Sequence, residues 1–226
     1  ALMKIFDGPG LIASKSGAAI TPVRIEGAQY TPISRLKGKV RLRLFPKITL
    51  TILEPRRFEI EGEMSARDRR AAAGRKLYDE MSQMIFATSD TDRTLFSALL
   101  EAQHIYGHKA PIVEDVNRKP LSYSKLVIGS QALGRPLAKV TAKAEHVGLM
   151  MPNVNSTVAA FFALQSIGRV PAMLNFTAGL ANLKAACLAA EIRTIITART
   201  FVEQANLGDI VTALESEGLK IIWLED

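Results

Sequence analysis

The sequence predicts an α/β fold with a mostly parallel sheet, and three observations support this class. Short apolar runs alternate with helical stretches from Leu95 to the C-terminus. Turn residues follow the runs, as Pro152-Asn153 follows the run Val147–Met151. No repeat of fixed period is visible, so a solenoid is not expected. Strands that are joined in order through helices build parallel sheets, because a parallel neighbour is reached only by a crossover connection.

The centre of this pattern is the segment His146–Gly179, which predicts a complete βαβ unit. A buried strand leads through a turn into an apolar helix. Asn155 or Ser156 can cap that helix, because either side chain accepts hydrogen bonds from its free amides. Gly168 suits the end of the helix, where a left-handed residue is least costly. Residues 169–174 then return as the second strand of the unit.

Further elements extend this sheet in chain order. They are a helix from Leu95 to Tyr106 ended by Gly107, a strand at 110–113, a helix at 125–133 capped by Ser124, a helix at 180–190, a strand at 194–197, a helix containing Val211 and Leu214, and a strand at 219–224. Their alternation is typical of an open, mostly parallel sheet with helices on its faces.

The N-terminal part of the chain predicts a different arrangement. An opening helix ends at Ser16-Gly17, and a strand follows at 19–25, where Pro22 requires an edge or a bulge. A second, half-buried strand is expected at 48–52, because isoleucine and leucine alternate there with threonine.

A long helix closes this part of the chain. Ser65 caps it, and Leu77, Met81 and Met84 give it one apolar face. The polar stretch that follows marks a domain boundary. We therefore place the two domains at residues 1–90 and 91–226.

Positive charge is concentrated between Arg35 and Lys76, which hold 13 Lys or Arg and 5 Asp or Glu, in a chain of net charge +7. Lys37, Lys39, Arg41 and Arg43 alternate with other residues, and a period of two places them on one face of a strand or ribbon. That face predicts contact with anions, above all with an anionic membrane surface. An exposed strand face or an edge protected by charge is the alternative. A nucleic-acid partner is not expected, because the stretch lacks interleaved aromatics.

Composition limits the remaining classes. Hydrophobic residues make up 48% of the chain, which excludes a disordered protein. The single cysteine, Cys187, excludes an internal disulfide, and we expect it to be a small core residue.

No charged residue lies between Val147 and Gly168, so a membrane span is an alternative there. The polar residues inside that segment favour strand, turn and helix instead.

The second domain resembles the adenylate-forming acyl-CoA and acyl-carrier-protein synthetases. The resemblance begins near Leu95 and rests on Tyr123, Leu126, Val147-Gly148-Leu149, Pro152-Asn153, Ala160, Ala163, Gly168, Val170-Pro171 and Leu174-Asn175. It implies that residues 91–226 form the first βαβ units of an AMP-binding domain. It also implies ATP and Mg²⁺ as cofactors of the whole enzyme.

The first domain resembles the glycerolipid acyltransferases. The matching residues are Lys4, Phe6, Gly8, Gly10, Ala13, Lys15, Ser16, Gly17, Ala18 and Pro22–Gly27. The resemblance implies that residues 1–90 are the C-terminal end of an acyltransferase α/β domain. It also implies that Thr21, Pro22 and Val23 support the pocket for the acyl acceptor, with Thr21 where the family usually has an aliphatic residue.

Catalytic motifs of both families are missing, so no catalytic residue is expected. The acyltransferases use a His-x4-Asp pair, but Lys109, Val113 and Met151 stand five positions after His104, His108 and His146. The synthetases need a Ser/Thr/Gly-rich loop ending in Pro-Lys-Gly, and no such loop is present.

His104 and His108 have the spacing of two metal ligands, but Gly107 ends their helix and no third ligand is near, so no metal site is expected.

The order of the two domains resembles the bacterial bifunctional 2-acylglycerophosphoethanolamine acyltransferase/acyl-[acyl-carrier-protein] synthetases. This resemblance implies fatty acid, acyl carrier protein and lysophospholipid as partners, and the cytoplasmic face of the inner membrane as location. We expect the present chain to be an internal piece of such an enzyme, inactive in both reactions and without bound cofactor. A nonenzymatic module that binds anionic membranes through its basic stretch is the alternative.

Overall fold

The computed structural model describes residues 6–36, 38–57, 59–116 and 118–226. The chain packs as two compact units. The first unit ends at Asp92, and the second comprises Arg93–Asp226.

The described part of the first unit contains two α-helices, a short 3₁₀ helix at Ala28–Tyr30 and a two-stranded ribbon. Its longer elements are α1 (Asp7–Ser16), β1 (Val23–Glu26), β2 (Thr49–Ile52) and α2 (Ala66–Ala87). The two strands are antiparallel. The predicted ends of both helices are confirmed: Gly17 follows α1 with φ 64°, and the Ser65 hydroxyl accepts from the amide of Asp68 at the start of α2.

Glycines allow α1 and α2 to pack closely. A Cβ on Gly10 would lie 2.4 Å from the carbonyl oxygen of Ala73, and a Cβ on Gly74 would lie 2.2 Å from Asp7 Oδ1. Both distances are too short for real atoms, so only glycine fits at these two positions without a shift of the helices. Ala73 and Leu77 are buried along the same helix.

Two expectations for this unit are wrong. The strand expected at 19–25 begins only at Val23, because Pro22 has no amide to donate to a partner strand. Ile20, which precedes the strand, forms a single bridge with Arg56. The strand expected at 48–52 is present, but it is not half-buried. Leu50 and Ile52 are 62% and 68% exposed.

The second unit contains the parallel sheet. Its elements are α3 (Leu95–Tyr106), β3 (Pro111–Val113), β4 (Leu121–Ser122), α4 (Tyr123–Val140), β5 (His146–Leu149), α5 (Asn155–Ser166), β6 (Val170–Met173), α6 (Leu180–Ala189), β7 (Thr194–Thr197), α7 (Arg199–Gln204), α8 (Gly208–Ser216) and β8 (Lys220–Trp223). Strands β6, β5, β7 and β8 lie in that order and are all parallel, as predicted. The short strands β3 and β4 form a separate antiparallel pair.

Helices cover both faces of this sheet, because successive strand residues point to opposite sides. Val147 and Leu149 of β5 pack into a cluster with α4 and α5, and Ile196 of β7 joins them. Ile195 and Met150 point the other way, into a cluster built on α6, α7 and α8. The unit is therefore a three-layer α/β/α arrangement.

Two helix starts differ from the prediction. Ser122, not Ser124, caps α4 by accepting from the amide of Lys125, and the helix continues past Pro136 to Val140. Helix α5 begins after Val154, which offers no side-chain cap, so neither Asn155 nor Ser156 plays the expected role.

The segment that could be confused with a membrane span is confirmed as strand, turn and helix. Residues between β5 and β6 form the 12-residue helix α5 and its turn. Across the described ranges, no helix combines the length and the apolar character that crossing a bilayer requires.

Candidate functional site

A cavity lies at the carboxyl edge of the parallel sheet, where ligands bind in open α/β folds. Its volume is about 380 Å³, within the range of small-molecule sites. Its lining residues come from β3 and the loop behind it, from the turn after β5, from α5 and from the end of β6: Val113, Glu114, Asp115, Asn153, Val154, Thr157, Val158, Phe161 and Met173.

Hydrogen bonds tie the loop after β3 to the start of α5. Asp115 Oδ2 accepts from the backbone amide of Asn155 at 3.3 Å, and Asn155 Nδ2 donates to the carbonyl oxygen of Lys119 at 2.8 Å. Thr157 adds a hydrogen bond of 2.5 Å from its hydroxyl to the carbonyl oxygen of Pro152. The Asp115 carboxylate therefore supplies the cap that the sequence of α5 lacks.

The chemistry of this cavity suits a small apolar group rather than a phosphate. Five of its lining residues are Val, Phe or Met, and its charged residues are the acids Glu114 and Asp115. None of the described residues that line it is a cation, and Asp115 already occupies the positive end of α5. The cavity therefore does not fit the phosphates of ATP.

The carboxyl end of β7, the strand next to β5, also carries side chains that are already hydrogen-bonded within this chain. The Thr197 hydroxyl at the end of β7 is buried and donates to the carbonyl oxygen of Met150 at 2.7 Å. Arg199 follows and pairs with Asp226 at 2.5 Å, with its guanidinium 5.2 Å from the ring centroid of Trp223. The Arg199–Asp226 hydrogen bond raises the pKa of Arg199 and lowers the pKa of Asp226. Arg199 thus already has an anionic partner within this chain.

A second cavity lies in the first unit and has a volume of about 430 Å³. It is lined by Pro22, Leu53, Arg56, Glu80, Ser82, Gln83, Met84, Phe86 and Ala87. Arg56 spans it with two hydrogen bonds, to Glu80 at 3.1 Å and to Gln83 at 2.7 Å.

Of the three residues expected to support an acceptor pocket, only Pro22 lines this cavity. Thr21 is exposed before the first strand. Val23 begins β1, where it is 45% exposed and pairs with Ile52. Their role in acceptor binding stays a prediction.

The cationic strand expected at 37–44 is wrong. Apart from a bridge at Val40, the described residues there form turns and irregular backbone: the amide of Lys39 donates to the carbonyl of Leu36, and Gly38 has φ 84°. Lys39 and Arg41 are exposed, but the guanidinium of Arg43 lies 5.5 Å from the ring centroid of Tyr30. The period-two argument therefore fails, because it requires an extended strand. Lys37 lies outside the described residues.

Sequence reasoning missed three side chains that organise these regions. Asp115 caps a helix 40 positions away in sequence, and Arg56 crosses the second cavity. Arg24 Nη1 joins β1 to the end of α2, donating to the carbonyl oxygen of Ile85 at 3.0 Å and to Thr88 Oγ1 at 2.7 Å. No signal in the sequence pointed to Asp115, because Asn155 and Ser156 offered a local cap that the structure does not use.

The metal-ligand candidates lie apart from these cavities. His104 is in the last turn of α3, and His108 follows that helix with Nδ1 3.4 Å from Ser124 Oγ. Among the described side chains, no group of three His, Cys, Asp or Glu is arranged to hold a metal ion. Cys187 is buried in the cluster on α6, and burial raises the pKa of its thiol.

The arrangement in the second unit can be compared with solved structures. VinN in complex with 3-methylaspartate is 21% identical with a TM-score of 0.48, covering 59% of this chain and 35% of that chain. The N-terminal domain of FACL13 from Mycobacterium tuberculosis is 14% identical with a TM-score of 0.48, covering 57% and 33%. A putative long-chain-fatty-acid CoA ligase from Rhodopseudomonas palustris is 12% identical with a TM-score of 0.48, covering 57% and 33%. This chain thus spans about a third of the length of these structures.

The family model of the AMP-binding enzymes matches residues 101–225. The match covers more than half of the chain and includes every strand of the parallel sheet. The chain therefore belongs to the AMP-binding enzyme family.

Proposed function

We propose that this chain is part of a bifunctional enzyme of membrane phospholipid turnover. The enzyme activates a fatty acid with ATP, loads it onto acyl carrier protein and transfers the acyl group to lysophosphatidylethanolamine. The observation that carries the proposal is the order of two segments in one chain. An acyltransferase-like segment that includes Pro22–Gly27 precedes an AMP-binding domain at residues 101–225.

The cavity of the first unit supports the acyltransferase part of the proposal. Its wall includes Leu53, Met84 and Phe86, which suit an apolar chain, and Arg56 offers a cation for a lipid phosphate. The ATP and Mg²⁺ of the AMP-binding enzymes would serve the activation step. Since the described residues do not supply a phosphate site, no step of that reaction is assigned to them.

A second candidate function is a nonenzymatic module that binds anionic membranes at the cytoplasmic face of the inner membrane. Lys39 and Arg41 favour it, because both are exposed and neither forms an ion pair with another described residue. In this alternative the AMP-binding fold serves only as a scaffold.

Labelled fatty acid separates the two functions. The product of the complete reading frame is incubated with ATP, Mg²⁺ and acyl carrier protein, and then with lysophosphatidylethanolamine. We expect acyl carrier protein to be loaded only when ATP is present, and phosphatidylethanolamine to form. We expect the 226-residue chain to do neither. Loading of coenzyme A but not of acyl carrier protein, or no phospholipid product, would contradict the proposal.

One substitution tests the cavity of the first unit within the complete enzyme. Ala87 is exposed at the end of α2 and lines the cavity. Ala87→Phe would fill part of it, so we expect slower transfer to lysophosphatidylethanolamine with unchanged loading of acyl carrier protein. Ala132→Phe, at an exposed alanine of α4, is the matched control and should change neither rate.

A further inference from the structure

A groove with a volume of about 740 Å³ lies beside α4 in the second unit. Three segments line it: the start of α3, one face of α4 and the end of α5. Its lining includes Phe96, Gln131, Arg135, Ala138, Lys139 and Ile167. The cavity at the carboxyl edge of the sheet lies at the start of α5, so the groove is a separate feature at the other end of that helix.

The shape of the groove follows from Gly134, which also lines it. A Cβ at this position would lie 3.1 Å from Ile167 Cγ2 and 3.1 Å from Ser166 Oγ, so the end of α5 approaches the backbone of α4 closely. Phe96 and Ile167 are half-buried and pack against the two core clusters on this side of the sheet. The apolar wall of the groove is therefore held in place by the core of the unit.

The charge in the groove is positive. Arg135 and Lys139 are exposed, and neither forms an ion pair with another described residue. Four positions separate them, so both lie on the same face of α4, where like charges weaken a helix slightly. The helix dipole favours Lys139 in the last turn of α4, but it does not account for Arg135 one turn earlier.

This charge belongs to a wider concentration around α4. Residues 116–144 contain six Lys or Arg and no Asp or Glu, whereas the other residues of the second unit contain more acids than cations. None of the described residues that line the groove is an acid. The groove therefore combines an apolar wall with cations that have no acidic partner among the described residues.

An acidic helix of a partner protein complements both features. Such a helix lies in a groove with its apolar side against the wall, and Asp or Glu one turn apart would pair with Arg135 and Lys139. A flat bilayer does not fit, because the groove is concave and its large apolar side chains are half-buried. A further segment of the same domain would have to bury two cations, which is costly unless each of them is paired.

We propose that this groove docks an acidic helix of acyl carrier protein, with Arg135 and Lys139 pairing with its carboxylates and with Phe96 and Ile167 contacting its apolar side. The inference rests on the proposed function, in which acyl carrier protein is the one protein partner, and adds the surface that receives it. Because the groove lies away from the carboxyl edge of the sheet, it binds the carrier and takes no part in the chemistry.

Binding of labelled acyl carrier protein to the 226-residue chain tests the docking surface without any enzymatic reaction. Fluorescence anisotropy is measured at increasing salt concentrations. We expect binding that weakens as salt is added, because salt screens charge pairs at a protein surface. No binding, or binding that salt does not change, overturns the proposal. The loading assay described above judges the proposed function separately.

Substitutions assign the binding to residues. Arg135→Gln with Lys139→Gln removes both charges and keeps good helix formers, so we expect an intact fold and about tenfold weaker binding. Lys109→Gln with Arg193→Gln is the matched control, because both cations are exposed in the second unit and lie outside the groove. The two variants lower the net charge equally. An equal loss of binding in both would mean that only long-range charge acts, and it overturns the proposal.

The same substitutions separate docking from catalysis in the complete enzyme. Loading is measured against the concentration of acyl carrier protein, and release of pyrophosphate without the carrier serves as the reference. We expect Arg135→Gln with Lys139→Gln to raise KM for the carrier about tenfold without a matching change in kcat or in the reference. An unchanged KM would mean that the remainder of the enzyme covers the groove, and it overturns the proposal. If the parent enzyme loads no carrier, the proposed function fails, and the binding measurements alone decide on the groove.

Crosslinking shows where the carrier lies. Cys187 is the only cysteine of the 226-residue chain, so Gln131→Cys in a Cys187→Ala background carries one thiol, in the groove. A photoreactive benzophenone attached to that thiol should crosslink to acyl carrier protein. Leu188→Cys in the same background is the matched control, because Leu188 is 83% exposed on α6, and it should not crosslink. A bound carrier that crosslinks equally from both positions, or only from the control, overturns the proposal.

Discussion

At the scale of single residues, Gly148 is closely packed within the parallel sheet. A Cβ there would lie 2.8 Å from Leu174 Cδ1 and 3.1 Å from Ile195 Cγ1, and both neighbours are buried. We expect Gly148→Ala to lower the free energy of unfolding by about 1–3 kcal/mol, because the core must shift to accept the methyl group. Urea denaturation measures the change.

Gly129→Ala is the matched control for that substitution. Gly129 lies inside α4, and a Cβ there meets no atom within 4 Å. Alanine is the better helix former by roughly 1 kcal/mol, so this variant should be as stable as the parent or more stable. If Gly148→Ala proved as stable as Gly129→Ala, the core around β5 would have space for a methyl group, contrary to the short Cβ distances at Gly148.

Cys187 predicts a pH dependence at the same scale. Burial raises the pKa of its thiol above the ordinary value, so the folded state holds the thiol proton more tightly than the unfolded state. The resulting stabilisation is complete below the unfolded pKa of about 8.5, and it is lost as the pH rises through the folded pKa. We expect the free energy of unfolding to fall in this alkaline range. Burial also raises the pKa of Tyr123, so the parent must be compared with Cys187→Ala, which should show a smaller fall. Identical slopes for the two proteins would contradict the assignment.

At the scale of elements, α5 depends on a cap from another segment. Its first amide donates to Asp115 Oδ2, and its own N-cap position is Val154. We expect Asp115→Ala to lower the free energy of unfolding by about 1 kcal/mol, as the loss of other caps does. Asp115→Asn keeps an acceptor oxygen and should lose less. Denaturant midpoints from circular dichroism check both variants, and equal losses would mean that charge rather than the hydrogen bond acts at this position.

The elements of the parallel sheet could be predicted from the sequence, because their signals are local. The strand at Thr194–Thr197 and the helix Leu95–Tyr106 appear at the predicted residues, since an apolar run and a capped amphipathic stretch need no distant partner. The cap of α5 could not be predicted, because Asp115 is distant in sequence. The strand expected at 37–44 failed for a related reason: its alternation is also compatible with turns, and Gly38 adopts a positive φ that breaks an extended chain.

The candidate sites were less predictable than the elements. Pro22 lines a cavity, and the other residues of that cavity come from α2 and from the chain after β2. Nothing in a linear pattern brings Arg56 next to Glu80. The exposed ribbon was missed because alternation of isoleucine with threonine predicts one buried face, and only Arg24, bonded to α2, decides which face points inward.

At the scale of the whole molecule, each unit has its own buried contacts, and a chain of this kind need not unfold in one step. Trp223 is the only tryptophan and lies in the second unit, where it pairs with Thr197 across the sheet. Its fluorescence therefore reports the second unit, whereas far-UV circular dichroism also reports α1 and α2. We expect Gly148→Ala to shift the urea midpoint of the fluorescence more than that of the circular dichroism.

The reciprocal substitution completes this test. A Cβ on Gly10 would lie 2.4 Å from the carbonyl oxygen of Ala73, so Gly10→Ala must separate α1 from α2. We expect this variant to lose helical signal at lower urea while the midpoint of the Trp223 fluorescence stays where it is in the parent. If Gly10→Ala moved both midpoints equally, the two units would unfold as one cooperative body. Separate midpoints would mean that the first unit can be weakened without disturbing the parallel sheet.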